Sequence, residues 1–202
     1  MSDEPIKPPE QRPEHPDFWC KRFGEGVTPW DAGRVPALLQ AFVERHPEPL
    51  NTLIPGCGTA YDAAFLAQHH WSVTALDFSP IAVSKAREVV GDAAVDLLCA
   101  DFFTFKPSTE FQLIYERAFL CALPRKLWID WAHRVAELLP HGGLLAGYFF
   151  ICDQQKGPPF GITREQLDAL LGPNFDRHED APVVDSIHVF EGRERWQVWC
   201  RR

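Results

Sequence analysis

The chain has 202 residues, of which 46% are hydrophobic and 24% charged, enough for one globular domain with a full core. A formal net charge of −8 makes a nucleic-acid backbone a poor electrostatic partner. No apolar run approaches the ~20 residues that a membrane span needs.

The N-terminal residues are polar and lack a secretory pattern. Six cysteines stand at positions 20, 57, 99, 121, 152 and 200 with neither C-x-x-C nor zinc-like spacing. A reducing, cytoplasmic setting follows, with Cys57, Cys99 and Cys121 read as small buried hydrophobes.

Residues 1–16 carry five prolines among polar residues and are expected to be extended or disordered until something covers them. Residues 17–34 hold three large aromatics, Trp19, Phe23 and Trp30. Trp19 and Phe23 are four apart and share one face of a helix. Two readings stand for this segment. It is a hydrophobic clasp, or it is a lid whose rings close over a cation. Residues 35–45 read as an amphipathic helix closed by Pro47 and Pro49.

The informative stretch is 50–62. Leu50, Leu53 and Ile54 form a short buried strand that ends at Pro55, and Gly56 and Gly58 bracket a sharp turn. Apolar residues at helical spacing follow from Ala60 to Gln68. Strand, glycine turn and helix open an α/β nucleotide-binding unit, where glycine lets the backbone approach a ligand. A second strand, 72–77, ends at Asp77, 19 positions after Gly58. A carboxylate at that spacing accepts hydrogen bonds from both ribose hydroxyls of an adenosine. The third glycine of G-x-G-x-x-G would fall at Tyr61, and the P-loop lysine is also missing. A phosphate-free adenosine, namely S-adenosylmethionine, therefore fits better than a dinucleotide.

Ser79 and Pro80 open a helix that Gly91 stops. A third strand, 95–100, precedes Asp101 and Phe102. Asp101 can accept from an adenine amino group, or simply serve a turn, and Phe102 offers the ring an apolar wall. Arg117 lies just past a fourth strand, 111–116. It can meet an anionic acceptor or a carboxylate, or pair with Glu116. A long helix, 125–139, puts Trp128, Trp131, Val135 and Leu138 into the core. A fifth strand, 144–151, leads to a Gly/Pro loop that would present Phe160 to a pocket. Thr163 caps a helix over 164–171, and 183–190 with 195–200 read as a closing antiparallel hairpin. The expected architecture is α/β, one seven-stranded, mostly parallel sheet with one strand reversed. It forms a single domain over 17–202, monomeric, preceded by a tail.

Trp19, Val27-Thr28-Pro29-Trp30-Asp31, Ile54-Pro55-Gly56-Cys57-Gly58, Tyr61-Asp62, Asp77-Phe78-Ser79, Asp101-Phe102-Phe103 and Tyr115-Glu116-Arg117 together resemble the thiopurine methyltransferase family, over about residues 18–202. Within it the chain looks closest to the thiol and halide methyltransferases. The resemblance implies the class I methyltransferase (Rossmann-like) fold and S-adenosylmethionine as cofactor. It places Trp19, Trp30, Gly56, Asp77, Asp101, Phe102 and Arg117 at cofactor-contacting positions, joined by Gly58 from the turn. Phe23 stands where the thiol/halide branch often has Trp, and Arg117 where the plant halide enzymes carry Tyr.

The implied reaction is an in-line methyl transfer to a small soft nucleophile: a thiol, hydrosulfide, halide or thiopurine. No general base is required, because a thiol of pKa about 8.5 already supplies some thiolate near neutrality. Asp31 and Asp153 are the acids to test, Arg117 and Phe160 the acceptor-side residues, and no metal ligand set is expected. The alternatives are an O- or N-methyltransferase of a small molecule and a non-catalytic adenosine-binding module.

Overall fold

A computed structural model describes residues 7–202. Seven strands form one sheet: β1 (Asn51–Pro55), β2 (Ser72–Asp77), β3 (Val95–Cys99), β4 (Leu113–Arg117), β5 (Leu144–Phe150), β6 (Phe175–Pro182) and β7 (Glu194–Arg201). Their order is β3-β2-β1-β4-β5-β7-β6. Every pairing is parallel except those of β7, which runs antiparallel to both β5 and β6. β7 is therefore the reversed strand.

Six helices flank the sheet: α1 (Pro16–Glu25), α2 (Ala37–Arg45), α3 (Tyr61–Gln68), α4 (Pro80–Val90), α5 (Trp128–Leu138) and α6 (Arg164–Leu171). Alternate side chains of a strand point to opposite faces, and the core splits accordingly. Leu53, Ile114, Leu145 and Phe149 join Trp131, Val135 and Leu167 in one cluster. Ile54, Val73, Tyr115 and Tyr148 join Leu39, Phe42 and Leu66 in the other. Both faces are covered, so the central strands read as continuous apolar runs rather than alternating ones. Each such side chain contributes about 1.5–3 kcal/mol by leaving water.

The helix signals work as their chemistry requires. The Ser79 hydroxyl accepts from Ala82 N at 3.2 Å with Pro80 in the first turn, and Gly91 ends α4. Thr163 and Gln166 form a capping box at α6. Trp128, Trp131, Val135 and Leu138 are all buried, although the first turn of that expected helix, Arg125–Leu127, is a separate 3-10 turn.

Several expectations are corrected. The outer hairpin strand is β6, not 183–190. β6 carries Asp176, Arg177, His178, Glu179 and Asp180, mostly exposed, because it is the sheet edge and charge keeps an edge from pairing further. Val189 and Phe190 line a cavity, with Phe190 also packed on Phe150 of β5 at 5.5 Å between ring centroids, and 183–190 forms no strand. Arg117 is the last residue of β4 rather than the first beyond it. Cys99 is exposed, whereas Cys121 is buried and Cys57 half-buried.

Of the expected tail, residues 1–6 lie outside the described residues. Residues Pro9–Gln11 form a 3-10 turn, and Glu14 reaches Lys126 Nζ at 2.6 Å. Residues 12–16 are half-buried, whereas residues 7–11 stay exposed. No helix among the described residues is long and apolar enough to cross a membrane.

Candidate active site

A cavity of about 450 Å³ opens at the carboxyl ends of β1 to β4. In a parallel sheet this is where the strand order switches direction, here between β1 and β4. The register aligns Pro55 with Leu76 and Asp77 with Cys99, so the strand tips form one row beneath it.

The turn after β1 forms its floor. Gly56 has φ +60°, and a Cβ there would overlap the Phe119 ring. Gly58 has φ +54° and approaches Phe23 of α1, to which a Cβ would come within 3.5 Å. Ala60 and Ala118 also line the cavity with φ +61° and +57°, a conformation that strains any residue with a Cβ. Such strain gathers where a site over-determines the backbone.

Asp77 is 6% exposed. Its Oδ2 accepts from Gly58 N at 3.2 Å and its Oδ1 from Ser79 N at 2.8 Å. Burial pushes its carboxyl up to about 6, against the pull of those N–H groups. Each oxygen keeps a lone pair for a ligand hydroxyl.

Asp101 is exposed at the cavity mouth, and its Oδ1 accepts from Phe103 N at 3.0 Å, which shapes the turn after β3. That turn presents Phe102, buried, with Phe103 and Phe119 edge-on at 5.4 and 5.3 Å.

The N-terminal aromatics converge on the opposite wall. Trp30 stands edge-on to Trp19 at 5.3 Å and to Phe23 at 5.8 Å. Trp19 Nε1 donates to Pro13 O at 2.8 Å. The Thr59 hydroxyl donates to Asp31 Oδ2 at 2.8 Å and ties this segment to the glycine turn. Sequence reasoning named Asp31 but not this link, because hydroxyl–carboxylate pairs between distant segments leave no spacing signal.

At the β4 end, Arg117 lies over the Tyr148 ring at 4.8 Å, with Nε 3.8 Å from Asp62 Oδ2. Burial alone would lower the guanidinium's pKa, but Tyr115, Asp62 and Glu194 raise it, so it stays charged. Burial pushes the Asp62 carboxyl up to about 6, opposed by Arg117, and the pair is ionised at neutral pH. Glu116 is not the partner of Arg117. Its side chain turns to the other face, where Oε1 accepts from Phe119 N at 2.9 Å and Leu120 N at 3.0 Å.

Two further expectations fail. Phe160 does not line the cavity; it packs against the core and lines a small void with Leu120 and Ile162, while Pro158 and Pro159 reach the cavity instead. Asp153 is likewise not a lining residue. Trp19, Phe23, Trp30, Gly56, Gly58, Asp77, Asp101, Phe102 and Arg117 all line it together.

These residues fit an S-adenosyl ligand. Asp77 has free lone pairs for a ribose, the glycine turn permits close approach, and Phe102 and Phe103 wall a flat ring. The faces of Trp19, Phe23 and Trp30 suit a sulfonium.

Known proteins agree. A family model described as thiopurine S-methyltransferase (TPMT) matches residues 14–202. Thiocyanate methyltransferase 1 of Brassica oleracea is 34% identical over 188 residues, covering 90% of this chain and 83% of that one. The thiopurine S-methyltransferase of Methylococcus capsulatus is 30% identical over 182 residues, covering 79% and 82%. Among solved structures, the 1,6-didemethyltoxoflavin-N1-methyltransferase of Burkholderia thailandensis, bound to S-adenosylhomocysteine, superposes with a TM-score of 0.75 over 99% of this chain and 93% of that one. At 16% identity that likeness speaks for the fold. With its fold, its cavity and these relatives in agreement, the chain belongs to the thiopurine S-methyltransferase family and is an S-adenosylmethionine-dependent methyltransferase.

Proposed function

We propose that the chain methylates a small soft nucleophile: a thiol, hydrosulfide, a halide, thiocyanate or a thiopurine. One observation carries this reading. The cavity is also walled by Trp30, Cys121, Val189, Phe190 and the Pro158–Pro159 segment, an apolar stretch of lining in a cavity that Arg117 also lines. Such a lining strips water, which costs least for large, weakly hydrated nucleophiles. Arg117 supplies the charge for an anionic group.

When bound, S-adenosylmethionine supplies an electrophilic methyl group and departs as a neutral thioether. The protein's work is alignment and exclusion of water. Asp77 holds the sugar, Phe102 walls the base beside Asp101, and residues 17–34 act as the lid. The relatives' printed names, thiocyanate and thiopurine methyltransferases, support soft acceptors. We infer further that the chain works as a monomer in a reducing cytoplasm. Its six cysteines are free thiols, and only four large hydrophobics among the described residues, Val27, Ile81, Ile129 and Val184, are exposed.

The test is incubation with methyl-labelled cofactor and a panel of thiols, hydrosulfide, iodide, thiocyanate, thiopurines, phenols and amines. Label should enter the sulfur or halide acceptors. Transfer confined to the phenols or amines overturns the reading.

A further inference from the structure

Glu116 is buried on β4, 1% exposed, and takes no part in the cavity lining. Its Oε1 accepts from Phe119 N at 2.9 Å and from Leu120 N at 3.0 Å. Its Oε2 is buried and has no hydrogen-bond partner among the described residues. The backbone is confined as well. β5 sets Gly147 opposite, where a Cβ would overlap the Glu116 carbonyl oxygen. A carboxylate in such a place is costly. Burial pushes it up to about 7, against the pull of the two N–H groups. A neutral acceptor could make the same turn at lower cost, but acceptance by a charge is the stronger bond and holds the turn more firmly.

The part that the carboxylate holds is the turn after β4. Ala118 sits there with φ +57°, a conformation that strains a residue with a Cβ. Phe119 follows, and its ring lies so close to Gly56 that a Cβ there would overlap it. The same ring stands edge-on to Phe102 at 5.3 Å. Cys121, two residues on, belongs to the apolar wall of the cavity, and with Glu116 it also lines the small void. The Phe119 turn thus joins the glycine floor to the apolar wall, and Glu116 braces it from outside the cavity.

We propose that Glu116 is a positioning residue for methyl transfer: by gripping Phe119 N and Leu120 N it fixes the Phe119 ring, and with it the place where the acceptor meets the methyl group. Glu116 touches neither reactant. It acts through Phe119, so its loss is a loss of alignment rather than of a ligand contact. The inference rests on the methyl-transfer reading of the cavity.

The test compares kcat for transfer of labelled methyl to hydrosulfide, iodide and thiocyanate with S-adenosylhomocysteine affinity by calorimetry. Glu116→Ala should lower kcat roughly tenfold to a hundredfold. Its dissociation constant for S-adenosylhomocysteine should stay within about threefold of wild type, since Asp77 and the glycine turn are untouched. Glu116→Gln should recover most of kcat, because the amide oxygen accepts from the same two N–H groups. In a Phe119→Ala background, Glu116→Ala should cost little more. Should Glu116→Ala fail to fold, Glu116→Asp carries the comparison, because the shorter carboxylate is drawn back from both N–H groups. A kcat equal to wild type, an equal loss in kcat and affinity, or a Gln variant as impaired as the Ala variant overturns the assignment and leaves the cofactor reading intact. A wild type that labels none of the three acceptors counts against the acceptor reading instead. The crystal structure of Glu116→Ala with S-adenosylhomocysteine then decides: the Phe119 ring should move off Gly56, and a ring still in place overturns the assignment.

Discussion

Asp77 faces two demands. Burial favours its neutral form and pushes its carboxyl up to about 6, whereas gripping two hydroxyls requires the carboxylate. Affinity for S-adenosylhomocysteine should therefore fall as pH drops from 7.5 to about 5, since protonation turns an acceptor oxygen into a donor. Calorimetry across that range checks the sign. Asp77→Ala should weaken binding by about 1–3 kcal/mol at neutral pH, and unchanged affinity would remove the ribose assignment. Gly56→Ala should also abolish tight binding, because the methyl group meets the Phe119 ring and φ is +60°. At this scale the glycines and Asp77 were legible, since a turn and a strand-end acid lie at a fixed distance along one βαβ unit. The Asp62–Arg117 pair was not. It is made between α3 and β4, and only the folded sheet brings those together. Phe160 misled because a loop's composition says that it rims a pocket without saying which side chain points inward.

The elements divide the same way. Helices with a cap and an apolar stripe, such as α4 and α6, announce themselves through local chemistry. Edge strand β6 does not, because its charges answer to solvent rather than to a core. The segment 17–34 shows how an element outside the sheet can still belong to the site. Three aromatic side chains reach the cavity, and Thr59 ties the segment to the glycine turn through Asp31. If it is the lid, Trp19→Ala should lower turnover and raise the dissociation constant for S-adenosylhomocysteine severalfold. Wild-type values for both would make Trp19 packing alone. The Glu14–Lys126 pair fastens the stretch just before that segment, and hydrogen bonds, including those from Lys126 and Arg12, outweigh desolvation to hold the Glu14 carboxyl at about 2. With Lys126 largely exposed, the pair contributes about 1 kcal/mol or less.

The whole molecule carries a conflict between site and stability. Burial raises the carboxyls of Asp62 and Asp77 to about 6 and of Glu116 to about 7. Raised acids bind protons more tightly in the folded state, so between about 4 and 7 the folded protein holds more protons than the unfolded chain. The stability of the ligand-free protein should therefore fall as pH rises through that window. Glu14 and Asp180, both held at about 2, act oppositely, adding stability above their unfolded values that is lost in stronger acid. Thermal melts without ligand should give a higher midpoint near pH 5 than at pH 7.5, and a midpoint that rises steadily with pH would contradict these assignments. The fold class was legible as a whole because four strand–helix pairs and a closing hairpin admit few parallel topologies. The acceptor-side wall was not, since it is assembled from four separate segments, around Trp30, Cys121, Pro158–Pro159 and Val189–Phe190.

A crystal structure of the complex with S-adenosylhomocysteine tests the central claim most directly. It should show both ribose hydroxyls on Asp77, the adenine against Phe102, and the thioether sulfur facing the Trp19–Trp30 wall. A nucleoside bound away from the glycine turn would contradict the account.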